Sequence, residues 1–174
     1  MLRLIKNILG KTIKFIYRIT YKLIPTHKKT VLFIAFHGRG YSDNPRAIYE
    51  YMRQQDQFKD YRFIWAIKHH KKKNISIENA KVIEYFSIEM FFFYLARSQY
   101  WIANCKLPMY VLKKKNQIYL QTWHGTPLKK LAFDIEVPEG TTFYRSGMNE
   151  EMMHETYVQD VKKYNYMISP SAFT

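Results

Sequence analysis

The chain has one cysteine and no apolar run long enough to cross a membrane. Cys105 is the single cysteine among 174 residues, which excludes an internal disulfide and a cysteine-based zinc site. We predict that Cys105 is a small apolar core residue, as free cysteines usually are.

Acidic residues are scarce, above all near the amino terminus. The chain has 14 Asp and Glu against 28 Lys and Arg, so its formal net charge is +14. Residues 1–42 contain nine Lys and Arg and no Asp or Glu. This imbalance predicts an anionic partner, either a phosphate polymer, an acidic lipid surface or a nucleic acid. The sequence has no RNP, KH, helix-turn-helix or zinc-finger pattern, so we predict no nucleic-acid partner.

Residues 2–24 have the pattern of one amphipathic helix, about 35 Å long, which Pro25 ends. A basic residue recurs every three to four positions, which excludes a transmembrane span and a signal peptide core. We predict that residues 1–26 form a separate unit whose helix lies in the interface of an anionic membrane. The alternative is a helix that packs on its own domain. Its predicted apolar side consists of Leu2, Ile5, Leu9, Ile13, Ile16 and Leu23.

Strand and helix patterns alternate after this helix. Apolar runs predict strands at residues 30–36, 61–67, 81–85, 100–104, 117–123 and 166–169. Helical patterns cover residues 44–55, 87–97 and 149–163. The alternation predicts an α/β fold over residues 27–174, a Rossmann-like parallel sheet with flanking helices. Ligands bind beyond the carboxyl ends of such strands, so the junctions at residues 37–45 and 124–127 should face one cleft.

The second of these junctions carries the strongest chemical signal. The strand ends at Trp123, His124 lies in the turn, Thr126 takes the helix N-cap position and Pro127 the first helical position. An imidazole would then lie beside a helix N-terminus, where free N–H groups favour an anion. Phosphoryl transfer to a hydroxyl requires a base next to such a site. The alternative is a turn histidine that only stabilises the backbone.

Three other groups of polar residues leave more than one interpretation open. Lys129 could place its ammonium near a phosphate. Ser42, Asp43 or Asn44 could cap the helix that begins at Pro45, with or without a ligand. Residues 69–73 have the sequence HHKKK, which indicates a solvated basic loop and makes a poor metal site because no carboxylate accompanies the histidines. We therefore predict no resident metal.

The segment WHGTPLK at residues 123–129, followed by Phe133 and Asp134, resembles the signature of the CDP-glycerol glycerophosphotransferase family, the teichoic acid polymerases and primases. Three other segments, at residues 37–50, 100–104 and 167–171, resemble the family less specifically and occur in the family's order along the chain. The resemblance extends over roughly residues 30–174.

The resemblance implies the N-terminal, acceptor-side half of a GT-B-type transferase, without the C-terminal domain that binds the donor. It implies that His124 is the general base that takes a proton from an acceptor hydroxyl. That oxygen attacks the β-phosphorus of CDP-glycerol, and CMP leaves. The residues expected to contact substrate are Thr126, Lys129, Ser42, Asn44, Arg46 and Asp134.

The implied partners are the donor CDP-glycerol, a lipid-linked teichoic acid acceptor and the cytoplasmic face of the cell membrane. No cofactor is identified, although Mg²⁺ could accompany the substrate phosphates. A non-catalytic basic protein that binds anionic polymer or membrane is the alternative. The choices between glycerol and ribitol phosphate and between primase and polymerase stay open.

Overall fold

A parallel sheet with helices on both faces forms the body of the protein. The computed structural model describes residues 2–123, 132–138, 140–142 and 147–169, without the side chains of residues 2–7 and 132. The strands are β1 (His27–Ile34), β2 (Arg62–Ile67), β3 (Ala80–Glu84), β4 (Ser98–Ala103), β5 (Ile118–Gln121) and β6 (Tyr166–Met167). The α-helices are α1 (Leu2–Leu23), α2 (Asp43–Met52), α3 (Met90–Arg97) and α4 (Glu150–Val161).

The strand order places a crevice between β1 and β4. All neighbouring strands pair in parallel, in the order β3-β2-β1-β4-β5-β6. The chain winds outward from β1 to β3 and then returns to β4 on the other side of β1. Ligands of doubly wound sheets bind at this switch point, outside the carboxyl ends of the strands. The predicted Rossmann-like α/β fold is confirmed.

Both faces of the sheet are buried, which explains the nearly continuous apolar runs in its strands. Leu32 and Ile34 of β1 point to the face covered by α1 and α3. Val31 and Phe33 point to the opposite face, where Tyr49 of α2 packs against them. The prediction for Cys105 is also confirmed, because the thiol is buried and burial raises its pKa to about 11.

Helix α1 packs on the domain through one side and leaves a second apolar side exposed. Tyr17 is fully buried, its hydroxyl donates to the Leu112 carbonyl at 2.7 Å, and its ring meets Phe92 edge-on. Ile13 and Ile16, predicted on the membrane side, pack against the same core. The exposed residues, called here the apolar stripe, are Ile8, Leu9, Phe15, Ile19 and Leu23. In the part of the chain described, no helix has the length and apolarity needed to cross a membrane.

Predicted and observed element boundaries differ by up to three residues. Helix α3 begins at Met90 rather than at residue 87, yet Ser87 still accepts a hydrogen bond from the Met90 N–H at 3.1 Å. Asn149 caps α4 by accepting from the Met152 N–H. β5 ends at Gln121, two residues before the predicted end, because the chain leaves the β4 ladder after Thr122 donates to the Ala103 carbonyl.

Candidate active site

Asn104 organises the crevice between β1 and β4. The residue follows β4 directly and is fully buried. Its Oδ1 accepts the Phe36 N–H at 2.7 Å, and its Nδ2 donates to Asp43 Oδ2 at 2.5 Å. One amide therefore ties the end of β4 to the β1–α2 turn and to the start of α2. Sequence reasoning gave Asn104 no role, although an amide that ends an apolar strand is a signal for such a bridge.

Asn44 joins the first junction to the end of β5. Its Nδ2 donates to the carbonyls of Thr122 and Trp123, both at 3.2 Å. These are the last two described residues before His124. The structure thus brings residues 37–45 against the strand end that leads into the signature, at the carboxyl edge of the sheet.

The predicted caps of α2 do not form as expected. Ser42 occupies the N-cap position, but its side chain makes no capping hydrogen bond to the described residues. The Asp43 carboxylate is held by Asn104, and the Asn44 amide is held by the end of β5. Both side chains reach across the sheet edge, and Asp43, the first residue of α2, has a left-handed φ of 61°.

Arg46 is held within its own helix. Its Nε lies 2.7 Å from Glu50 Oε1, and its guanidinium lies 4.8 Å from the centre of the Tyr41 ring. Tyr41 donates to the same carboxylate at 3.0 Å, and desolvation together with Glu50 raises the pKa of Tyr41 to about 12. Half of the Arg46 side chain remains exposed, so the guanidinium is fixed and still accessible.

The remaining predicted site residues lie at or beyond the limit of the described chain. His124, Thr126 and Lys129 lie outside the described residues. Asp134 ends the 3₁₀ helix Ala132–Asp134 and is exposed. The neighbouring Phe133 ring lies 4.7 Å from the ring of His154, so this segment packs on α4.

The β1–α2 turn approaches the neighbouring strand ends closely. Gly38 has a φ of +79°, and a Cβ at this position would lie 2.7 Å from Tyr85 Cβ. His37 also has a left-handed φ, of 55°, and its N–H donates to Cys105 Sγ at 3.1 Å. The turn is therefore held in a conformation that side chains rarely adopt, as often occurs at functional sites.

A buried polar cluster anchors α4 beneath the end of β5. Asp160 is fully buried and accepts a hydrogen bond from the Tyr164 hydroxyl, and Lys163 Nζ lies 3.8 Å from Asp160 Oδ1. Gln121 donates to Tyr164 at 3.3 Å. Desolvation raises the pKa of Asp160 and lowers that of Lys163. Sequence reasoning missed this cluster because Asp160 fits the pattern of charged residues that an ordinary surface helix has.

The described groups at the crevice are hydrogen-bonding amides and an arginine. Among the described residues, no group of three or more His, Cys, Asp and Glu side chains could hold a metal ion.

Comparison with known proteins identifies the family. The profile of the CDP-Glycerol:Poly(glycerophosphate) glycerophosphotransferase family matches residues 15–174. The chain is 34% identical to a teichoic acid poly(glycerol phosphate) polymerase of Bacillus spizizenii, covering 91% of this chain and 40% of that protein. A polymerase of the same name from Staphylococcus epidermidis is 38% identical, with 99% of this chain and 24% of that protein covered. The chain therefore spans well under half the length of these relatives.

A solved structure of the wall teichoic acid polymerase TagF, from a variant soaked with CDPG, has the same fold. Its TM-score is 0.82 at 32% sequence identity, and the match covers 99% of this chain and 41% of that one. Since the family profile spans nearly all of the sequence and the fold agrees, the chain belongs to the CDP-glycerol:poly(glycerophosphate) glycerophosphotransferase family.

Proposed function

We propose that this chain acts in the transfer of glycerol phosphate from CDP-glycerol to a hydroxyl of a membrane-linked teichoic acid acceptor. The observation that carries the proposal is the family match over residues 15–174, which includes the whole WHGTPLK segment. The relatives' names, polymerase and glycerol-phosphate transferase, support this reaction class. The arrangement around Asn44 supports it further, because it fixes the strand end that precedes His124 in the sequence.

His124 is the general base in this proposal. A neutral imidazole takes the proton of the acceptor hydroxyl, because its ordinary pKa lies near working pH. The hydroxyl oxygen bonds to the β-phosphorus, the bond from that phosphorus to the bridging oxygen breaks, and CMP leaves with that oxygen. The sequence predicts a helix after Thr126, and in this proposal its free N–H groups together with Lys129 stabilise the charge on the phosphate.

The other predicted contacts belong to the acceptor side. Ser42, Asn44 and Arg46 lie on the first junction, where the phosphoglycerol end of the acceptor would enter. Asp134 orients His124 or binds a hydroxyl. Binding of CDP-glycerol requires a second domain beyond these 174 residues, and any Mg²⁺ is bound by the substrate phosphates rather than by a protein cage.

In this proposal, α1 holds the site at the cytoplasmic face of the membrane. The apolar stripe is exposed, with Phe15 at 64% and Leu23 at 75% of full accessibility. The basic side chains beside it are Lys11, Lys14, Arg18 and Lys22, and all are exposed. Apolar residues would enter the headgroup region, and the cations would meet acidic lipids. The buried side of α1 meanwhile keeps the helix attached to the domain.

Release of CMP tests the proposal directly. The 174-residue protein is incubated with CDP-glycerol, a lipid-linked glycerophosphate acceptor and liposomes, and His124→Ala is compared with His27→Ala at the opposite edge of the sheet. Loss of release in His124→Ala alone supports the role of the base, whereas equal release in both variants contradicts it. A folded, liposome-bound protein that releases no CMP supports a donor site outside this chain.

The exposed cations favour one second candidate, a basic protein that holds anionic polymer at the membrane without catalysis. Such a protein would bind teichoic acid equally well with His124→Ala. Transfer by any longer protein that contains this chain would then also be insensitive to His124.

A further inference from the structure

A second basic surface lies at the carboxyl edge of the sheet, apart from the basic residues of α1 in sequence. It consists of Arg39 in the β1–α2 turn and Lys68, Lys71, Lys72 and Lys73 in the loop after β2, and is called here the basic edge. Residues 36–46 and 67–76 together contain six Lys and Arg and one Asp. From sequence, the loop is expected to be a solvated surface feature. In the fold, the loop lies beside the β1–α2 junction, which makes it a candidate binding surface.

Hydrogen bonds join the two loops of the basic edge into one surface. The Lys68 N–H donates to the Gly38 carbonyl at 2.7 Å, and Lys73 Nζ donates to the Arg39 carbonyl at 3.3 Å. The Lys73 N–H closes the loop on the His69 carbonyl at 2.9 Å. The lysines therefore stand on a fixed turn that is bonded to the same β1–α2 junction that Asn104 and Asn44 hold.

Among the residues that the structure describes, the charges of the basic edge have few acidic neighbours. In the described part of the chain, Arg39, Lys71 and Lys72 have no carboxylate within ion-pair distance, whereas Lys29, Arg46 and Arg53 each have one. Glu84, the acid next to the loop, is already engaged. It accepts the His69 N–H at 2.8 Å and lies 3.3 Å from His70 Nδ1.

The basic edge lies at the same edge of the sheet as the end of β5, three strands away from it. The strands between them run in the order β2, β1, β4 and β5, so three strand spacings separate the loop from the end of β5. That distance is roughly 14 Å. A ligand held at both places must be an extended anion longer than a single glycerol phosphate unit.

We propose that the basic edge binds the phosphodiester backbone of a polymeric acceptor, several units behind the hydroxyl that reacts. The inference rests on the proposed function for the identity of the polymer. Each unit of a glycerol phosphate chain carries one negative charge. A row of fixed cations therefore binds phosphates along the chain without contacting its terminal groups. The surface favours acceptors that already carry several units.

Binding of a soluble poly(glycerol phosphate) oligomer, measured by calorimetry without donor or vesicles, tests the inference. The variant is Lys71→Gln/Lys72→Gln, in which both side chains are exposed and make no described contact that folding needs. The matched control is Lys28→Gln/Lys162→Gln, which removes the same charge from exposed positions at the amino edge of the sheet. We expect about fivefold weaker binding in the first variant and little change in the second. Monomeric glycerol phosphate should bind all three proteins alike.

Three results would overturn the inference. They are unchanged binding in the Lys71/Lys72 variant, an equal loss in the control pair, and an oligonucleotide that binds through the same lysines more tightly than the polymer does. The assay uses neither CDP-glycerol nor His124. If the CMP assay contradicts the role of His124 as the base while polymer binding depends on Lys71 and Lys72, the catalytic proposal fails and the polymer-binding proposal is supported. The reverse pattern contradicts only the polymer-binding proposal.

Discussion

At the scale of single residues, Asn104 is the side chain on which the crevice depends most. In Asn104→Ala the half-buried Phe36 N–H loses its bond to Asn104, and Asp43 loses this donor. We expect a loss of about 1–3 kcal/mol in the free energy of unfolding, measured with urea, because an unsatisfied buried group bears its full desolvation cost. Asn116→Ala, at an exposed position, is the control and should change little. Equal effects in both variants would contradict the bridging role.

Two nearby glycines give a sharper comparison. Gly38→Ala places a Cβ against Tyr85 in a left-handed conformation, whereas Gly40 has no atom within 4 Å of such a Cβ. The left-handed backbone alone costs about 1–2 kcal/mol for alanine, and the overlap with Tyr85 adds to it. We expect a clear fall in the thermal midpoint for Gly38→Ala and almost none for Gly40→Ala. Similar midpoints would show that the turn relaxes freely.

Asp160 predicts a specific pH dependence. Its pKa is raised by burial, so the folded protein keeps this proton at pH values where the unfolded chain has lost it. The free energy of unfolding therefore falls as pH rises from the ordinary pKa of aspartate through the raised value. Asp160→Asn cannot ionise and lacks this contribution.

Urea unfolding at a series of pH values measures the effect. Relative to Asp160→Asn, the unchanged protein should lose stability as pH rises across that window, with any offset from the lost Lys163 contact remaining constant. Asp60→Asn at an exposed position is the matched control. A difference that stays flat with pH would mean that Lys163, Lys106 and Tyr164 together compensate the burial of the carboxylate.

At the scale of elements, α1 packs on the domain through one side and exposes an apolar stripe on another. Substitution of one aromatic residue on each side tests the two roles separately. Tyr17→Ala removes a fully buried ring and should cost about 3 kcal/mol or more of stability. Phe15→Ala removes an exposed ring and should leave stability unchanged while weakening binding to anionic liposomes about tenfold. Chemical denaturation and liposome sedimentation measure the two effects. If Phe15→Ala binds liposomes normally, the apolar stripe does not enter the membrane.

The elements themselves were predictable because their signals are local. Both faces of the strands are buried, so the runs at residues 31–34 of β1, 63–67 of β2 and 100–103 of β4 are apolar without a break, and Pro25 follows the end of α1. The burial of Tyr17 was missed because the apolar residues of α1 cover more than one side, and spacing alone does not say which side meets the domain.

The arrangement of the site depended on contacts that no local pattern encodes. The bridges of Asn104 and Asn44 join residues more than 60 positions apart. A role for the basic loop follows only from the strand order, which places the loop at the same edge of the sheet as the end of β5. His124, Thr126 and Lys129 stay predictions, since they lie outside the described residues.

At the scale of the whole molecule, the net charge of +14 should make salt act in opposite directions on folding and on membrane binding. The described pairs that join Lys or Arg to Asp or Glu are few and mostly exposed, so screening them costs little. Repulsion among the excess cations acts over longer distances. The screening length falls from about 30 Å at 0.01 M salt to about 8 Å at 0.15 M, so that repulsion weakens over this range.

We therefore expect the thermal midpoint to rise when sodium chloride is raised over this range, while binding to anionic vesicles weakens. The Lys28→Gln/Lys162→Gln protein carries two fewer charges, and its midpoint should rise less. A midpoint that falls with salt would mean that attractive pairs outweigh the repulsion. Vesicle binding that is indifferent to salt would mean that the apolar stripe alone holds the protein at the membrane, because apolar contacts are not screened by ions.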